Sequence, residues 1–72
     1  MKYLASINNE ETAHTNSFDA MVAFCNSFIE NGTAEIIHIE FEQDGRICTT
    51  GAIGDNIGHQ FSEIIRTTRM GR

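Results

Sequence analysis

Residues 35–53 read EIIHIEFEQDGRICTTGAI, and the alternation inside this stretch decides the fold. In an extended chain successive side chains point to opposite faces. Ile37, Ile39 and Phe41 therefore share one side, and Ile36, His38, Glu40 and Glu42 share the other. Asp44-Gly45 follows as a strong short hairpin signal, and Arg46 to Ile53 is the returning strand. The phase of that return has two solutions. A two-residue loop sets Phe41 opposite Cys48 and Glu42 opposite Ile47. A three-residue loop with a glycine bulge sets Phe41 opposite Ile47 and Glu42 opposite Arg46. Cross-strand matching of apolar with apolar and acid with base favours the second. Gly51 then faces a helix, where a missing side chain permits close approach.

Outward from the hairpin, the periods are equally readable. Lys2 to Asn8 forms a short first strand with Tyr3, Ala5 and Ile7 on one side. Asn8 to Thr15 is polar and reads as a loop. The Thr15-Asn16-Ser17 cluster supplies a cap for a helix that carries Asp19 in its first turn. Phe18, Met21, Val22, Cys25, Phe28 and Ile29 make its buried stripe, and Asn31-Gly32 ends it. After the hairpin, Gly54 breaks the strand and Asp55 caps a last helix. The inward stripe of that helix is Ile57, Phe61, Ile64, Ile65 and Thr68, with Arg66, Arg69 and Arg72 at its positive-favouring end. The expectation is one α+β domain spanning residues 1–72, in the order β-α-β-β-α. Two helices pack on one face of a three-stranded sheet. Period and length leave the first strand free to lie beside either hairpin strand.

Composition narrows the function classes. Ten acids against five basic residues give a formal charge of −5, which argues against nucleic-acid and anionic-membrane binding. The longest apolar run, Ala20 to Cys25, is too short to cross a bilayer, and no signal-like segment follows Lys2. Cytoplasmic is the expected compartment. Ten isoleucines against one leucine and one valine favour sheet over a helical bundle. Cys25 and Cys48 are in neither a CxxC pair nor zinc-finger spacing, and are read as reduced. The chosen register sets their side chains on opposite faces, which opposes a disulfide between them.

Motifs that suggest chemistry have simpler readings. Asp55, His59 and Glu63 share one helical side but extend over too much helix for one metal ion, so a cap followed by a solvated His-Glu pair is preferred. Ser62 beside His59 lacks the orienting pocket of a triad. Gly51-Ala52-Ile53-Gly54 before Asp55 resembles a phosphate-cradling turn, yet the carboxylate would occupy the helix-start amides and no lysine follows. His38, Glu40 and Glu42 line one strand on an open face, which favours a solvated or partner-facing acidic stripe over a catalytic pair. No catalytic residue, metal or cofactor is expected, and the chain is read as not an enzyme.

Charge is the better hint. Residues 1–45 hold eight acids and one lysine, whereas residues 46–72 hold four arginines and two acids. An acidic surface steers basic partners toward it. The expectation is a small acidic module that docks on, and inhibits or modulates, a larger protein or nucleoprotein with a basic surface. Small inhibitors of phages and mobile elements share this size and charge. Glu35, His38, Glu40, Glu42 and Asp44 are the expected partner-binding residues. The alternative is a homodimeric accessory domain that associates through the open sheet face, with Leu4, Ile36, Cys48 and Ala52 at the interface.

Overall fold

The computed structural model describes residues 2–70. Its elements run β1 (Tyr3–Ile7), β2 (Glu11–Thr15), α1 (Phe18–Glu30), β3 (Ile36–Gln43), β4 (Arg46–Ile53) and α2 (Ile57–Met70). All neighbouring strands are antiparallel, in the order β2-β1-β3-β4. The α+β class expected from sequence stands. The strand count and element order are corrected to four strands and ββαββα, and β1 lies beside β3.

The extra strand comes from the segment expected to be a loop. Asn8 and Asn9 both adopt left-handed backbone, at φ 55° and 59°, which asparagine tolerates better than most residues. The turn is closed by the Glu10 N–H donating to the Ile7 carbonyl at 3.0 Å. Residues 11–15 then return along β1, with Ile7 opposite Glu11 and Tyr3 opposite Thr15. This strand has no apolar alternation to reveal it. It lies at the edge, with one neighbour and mostly exposed side chains.

Asn8 also joins distant parts of the chain. Its side-chain oxygen accepts from the N–H groups of Glu35 at 2.7 Å and Ile36 at 3.0 Å. Its side-chain nitrogen donates to the Thr33 carbonyl at 2.8 Å, and its backbone N–H donates to the Ile36 carbonyl at 2.7 Å. One residue thus closes the first hairpin and fixes the entry of β3 beside β1.

The hairpin register differs from the one favoured by side-chain matching. Phe41 lies opposite Cys48, Glu42 opposite Ile47 and Gln43 opposite Arg46, so the loop holds only Asp44 and Gly45. Both loop residues have positive φ, at 53° and 78°. That is the two-residue turn whose twist suits the flanking strands, and it prevails over the pairing of acid with base. The consequence is a change of face for the whole of β4. Cys48, Thr50 and Ala52 point to the helices, and Ile47, Thr49, Gly51 and Ile53 point away from them. Gly51 is therefore not packed beneath a helix. A Cβ there would lie 2.6 Å from the Ile37 carbonyl oxygen, so the constraint is the close approach of the neighbouring strand.

The core forms between the inner sheet face and the helices. Tyr3, Ala5 and Ile7 of β1, Ile37 and Ile39 of β3, and Ala52 of β4 meet Met21, Cys25, Ile57 and Phe61. Helix α1 lies against β1 and β2, and α2 against β4. Ser17 caps α1 by accepting from the Ala20 N–H at 3.1 Å. Asn31 and left-handed Gly32 end that helix as expected. At α2 the expected Asp55 cap shifts by one residue. The helix starts at Ile57, and the Asn56 carbonyl accepts from the Gln60 N–H at 2.9 Å. Arg72 lies outside the described residues, as does the side chain of Arg69.

Asn8→Ala removes the three side-chain bonds and forces alanine into left-handed backbone, so it should cost about 2–4 kcal/mol of unfolding free energy. Asn8→Gly keeps the backbone freedom and loses only the side-chain bonds. Urea denaturation should therefore rank the midpoints wild type above Asn8→Gly above Asn8→Ala.

Candidate functional site

Both helices cover one side of the sheet, and the other side is open. Its side chains follow from the register as short rows across the strands. His14, Leu4, Glu40 and Thr49 form one row, and Thr12, Ser6, His38 and Gly51 the next. Glu42 lies opposite Ile47 at one end of the hairpin, and Ile36 opposite Ile53 at the other. This face carries three of the expected partner-binding residues, His38, Glu40 and Glu42. His38 and Glu40 approach through Nε2 and Oε1 at 3.3 Å, with both side chains partly exposed. Asp44 is exposed in the turn just beyond them. Glu35 is exposed ahead of β3, but by alternation it does not join the row of His38, Glu40 and Glu42.

The expected apolar residues divide. Leu4 and Ile36 lie on the open face. Cys48 and Ala52 do not, because the two-residue turn directs them toward the helices, where Ala52 is 3% exposed. In their place stand Ile47 and Ile53, among the described residues the large hydrophobics most open to solvent, at 66% and 63% exposure. Leu4 is also not at the apolar end, since it lies between His14 and Glu40. The face thus has carboxylates in line with aliphatic side chains. Around Lys2, Leu4, His14, Glu40, Glu42 and Ile47 it forms an open hollow of about 440 Å³.

The signal that would have identified Ile47 and Ile53 was the turn itself. Asp-Gly is suited to two consecutive positive φ angles, and a two-residue loop puts odd-numbered β4 residues beside the even-numbered residues of β3.

Elsewhere, Glu63 pairs with Arg66 rather than with His59. The hydrogen bond from Arg66 and its charge hold the Glu63 carboxyl below its ordinary value, with a smaller contribution from His59. Ser62 donates to the Gly58 carbonyl at 3.1 Å. Among the described residues, no group of three or more His, Cys, Asp or Glu side chains is placed to hold a metal ion. No described helix is long and apolar enough to cross a membrane. Comparison of the chain with protein-family models, curated proteins and solved structures gave no match.

The two cysteines are free, and the register places both on the helix side of the sheet, not on opposite faces as expected. Burial pushes the Cys25 thiol up from 9.0 to about 11. Thiol-alkylating reagents at mildly alkaline pH should accordingly modify half-buried Cys48 while sparing Cys25 in the folded protein, as read by mass spectrometry of tryptic peptides. The same shift makes stability pH-dependent. The native thiol keeps its proton where the unfolded one has lost it, so this contribution is complete below pH 9.0 and lost as pH rises toward about 11. Relative to wild type, Cys25→Ala should show a shallower decline of the urea midpoint across that window.

Proposed function

We propose that the chain is a small acidic binding module whose open sheet face docks on a basic surface of a larger macromolecule and modulates that partner by covering it. The observation that supports this reading is the composition of one uncovered surface. Glu40 and Glu42, with Asp44 beside them, supply negative charge on the same face as exposed Ile47 and Ile53. Docking surfaces commonly combine these two elements. Desolvated apolar anchors hold the complex, while peripheral charge sets orientation and the rate of encounter.

The charge favours a lysine- or arginine-rich partner. With a formal charge of −5, the chain is attracted to such a surface from a distance, and salt weakens the attraction within a Debye length of roughly 8–10 Å. Carboxylates on a rigid strand present fixed negative charge, as phosphates do on a nucleic acid backbone. A partner that itself binds nucleic acid is the preferred target, and occupation of its basic surface is the proposed means of inhibition.

Carbodiimide coupling, which joins carboxylates directly to amines in contact, tests this reading in cells of the native source. Cross-linked peptides should join Glu40 or Glu42 to lysines of one partner. The Glu40→Lys, Glu42→Lys double variant should lose that capture while keeping the wild-type thermal midpoint, because neither side chain is part of the core. Undiminished capture by the double variant would overturn the proposal.

A further inference from the structure

We infer that two copies of this chain join through their β4 edges, antiparallel and centred on Thr49, to make one continuous sheet. The parity of β4 comes first. A two-residue turn makes the flanking residues Gln43 and Arg46 a hydrogen-bonded pair, so Arg46, Cys48, Thr50 and Ala52 direct their backbone groups to β3. Ile47, Thr49, Gly51 and Ile53 direct theirs outward. At Ile53 the outward groups are occupied. Its N–H donates to the Gln60 side-chain oxygen at 3.1 Å, and its carbonyl accepts from the Gln60 side-chain nitrogen at 2.7 Å. A glutamine of α2 fills the place of a neighbouring strand there. The outward groups of Ile47, Thr49 and Gly51 have no such partner among the described residues.

An edge of this kind is a template for another strand unless charge, proline or a cover blunts it. Here Gln60 protects only the last residue, and the sole charged residue of β4 is Arg46, beside the turn. The occupant that fits is a second copy. Reversed onto itself, the free run 47–51 matches completely when Thr49 meets Thr49 of the second copy and Ile47 meets Gly51. Each of these pairs then exchanges bonds in both directions. The side chains agree with that register. Gly51 must lack a Cβ because of the Ile37 carbonyl 2.6 Å away, and its bare backbone leaves room on the open face. Ile47 of the other copy would lie over that room and lose much of its 66% exposure.

Charge points the same way. The chain carries −5 overall, yet residues 46–53 contain one arginine and no acid, so β4 itself brings no carboxylate to the seam; Glu63 of α2, which shares a hollow with Thr49 and Thr50, is paired with Arg66. The twofold axis of such a pair is perpendicular to the sheet. Both open faces therefore lie on one side, and the acidic surface is doubled.

Sedimentation across a concentration series, combined with amide hydrogen exchange, tests the pairing. The expected result is a dimer in which the Ile47, Thr49 and Gly51 amides gain protection with concentration. The Arg46, Cys48 and Thr50 amides should be protected at every concentration. Thr49→Pro removes an outward N–H and no intramolecular ladder bond, and it should weaken dimerisation at least tenfold. Ile47→Lys should do the same by placing a charge over Gly51, and it decides the matter if the proline variant fails to fold. The Glu40→Lys, Glu42→Lys variant should remain dimeric, which separates this pairing from docking by the acidic face. A chain that stays monomeric at millimolar concentration would overturn the inference. So would a dimer whose Ile47, Thr49 and Gly51 amides exchange freely.

Discussion

The two-residue turn at Asp44-Gly45 governs what the surface of this protein presents. Positive φ at both residues closes the hairpin in the shortest way that suits the right-handed twist of the strands. Once the loop has this length, each β4 residue has an assigned face and each backbone N–H an assigned direction. Ala52 enters the core against Ile37, and Cys48 lies on the inner face opposite Phe41. Ile47 and Ile53 face outward, although their side chains are larger and more apolar than those turned inward. That exposure follows from the turn. One extra residue in the loop would exchange every side chain of the strand between the two faces.

At the other end of the sheet, Asn8 acts as a second fixed point. It combines a left-handed backbone with a side chain that binds three backbone groups between Thr33 and Ile36. The segment after α1 is thereby held where β3 must begin, next to β1. With β1 central, paired on both sides, Ala5 and Ile7 are buried to 1% exposure and the helices have a continuous apolar floor. Burial of each large side chain, such as Phe61, contributes about 1.5–3 kcal/mol. In a chain of this size, both fixed points matter because few such contributions exist to offset an error in strand order.

Much of the candidate face was legible in the sequence. His38, Glu40 and Glu42 alternate with Ile37, Ile39 and Phe41, and the structure places the two sets on the faces that this alternation implies. For β4, cross-strand matching and turn geometry imply different registers, and the structure follows the turn. A favourable side-chain pair is worth about 0.2–1 kcal/mol. The backbone conformation of a tight turn acts on the whole strand at once, so it outweighs any single pair. Strand β2 is hidden in the sequence for a different reason. An edge strand with polar side chains carries no period-two hydrophobic signal, and only the Asn8-Asn9 pair marked the turn before it.

By itself the sequence determined the class of the protein, both helices with their apolar stripes, the main hairpin and the acidic side of β3. These are local properties, set by side-chain period, capping residues and turn residues within a few positions of one another. Tertiary structure alone decided that β1 lies between β2 and β3, that a polar segment becomes a strand, and that Gln60 closes one end of the β4 edge while leaving the rest open. The reason is that these outcomes depend on backbone groups finding partners far along the chain. A hydrogen-bonding N–H or carbonyl is the same at every residue, so the sequence does not mark which ones will meet.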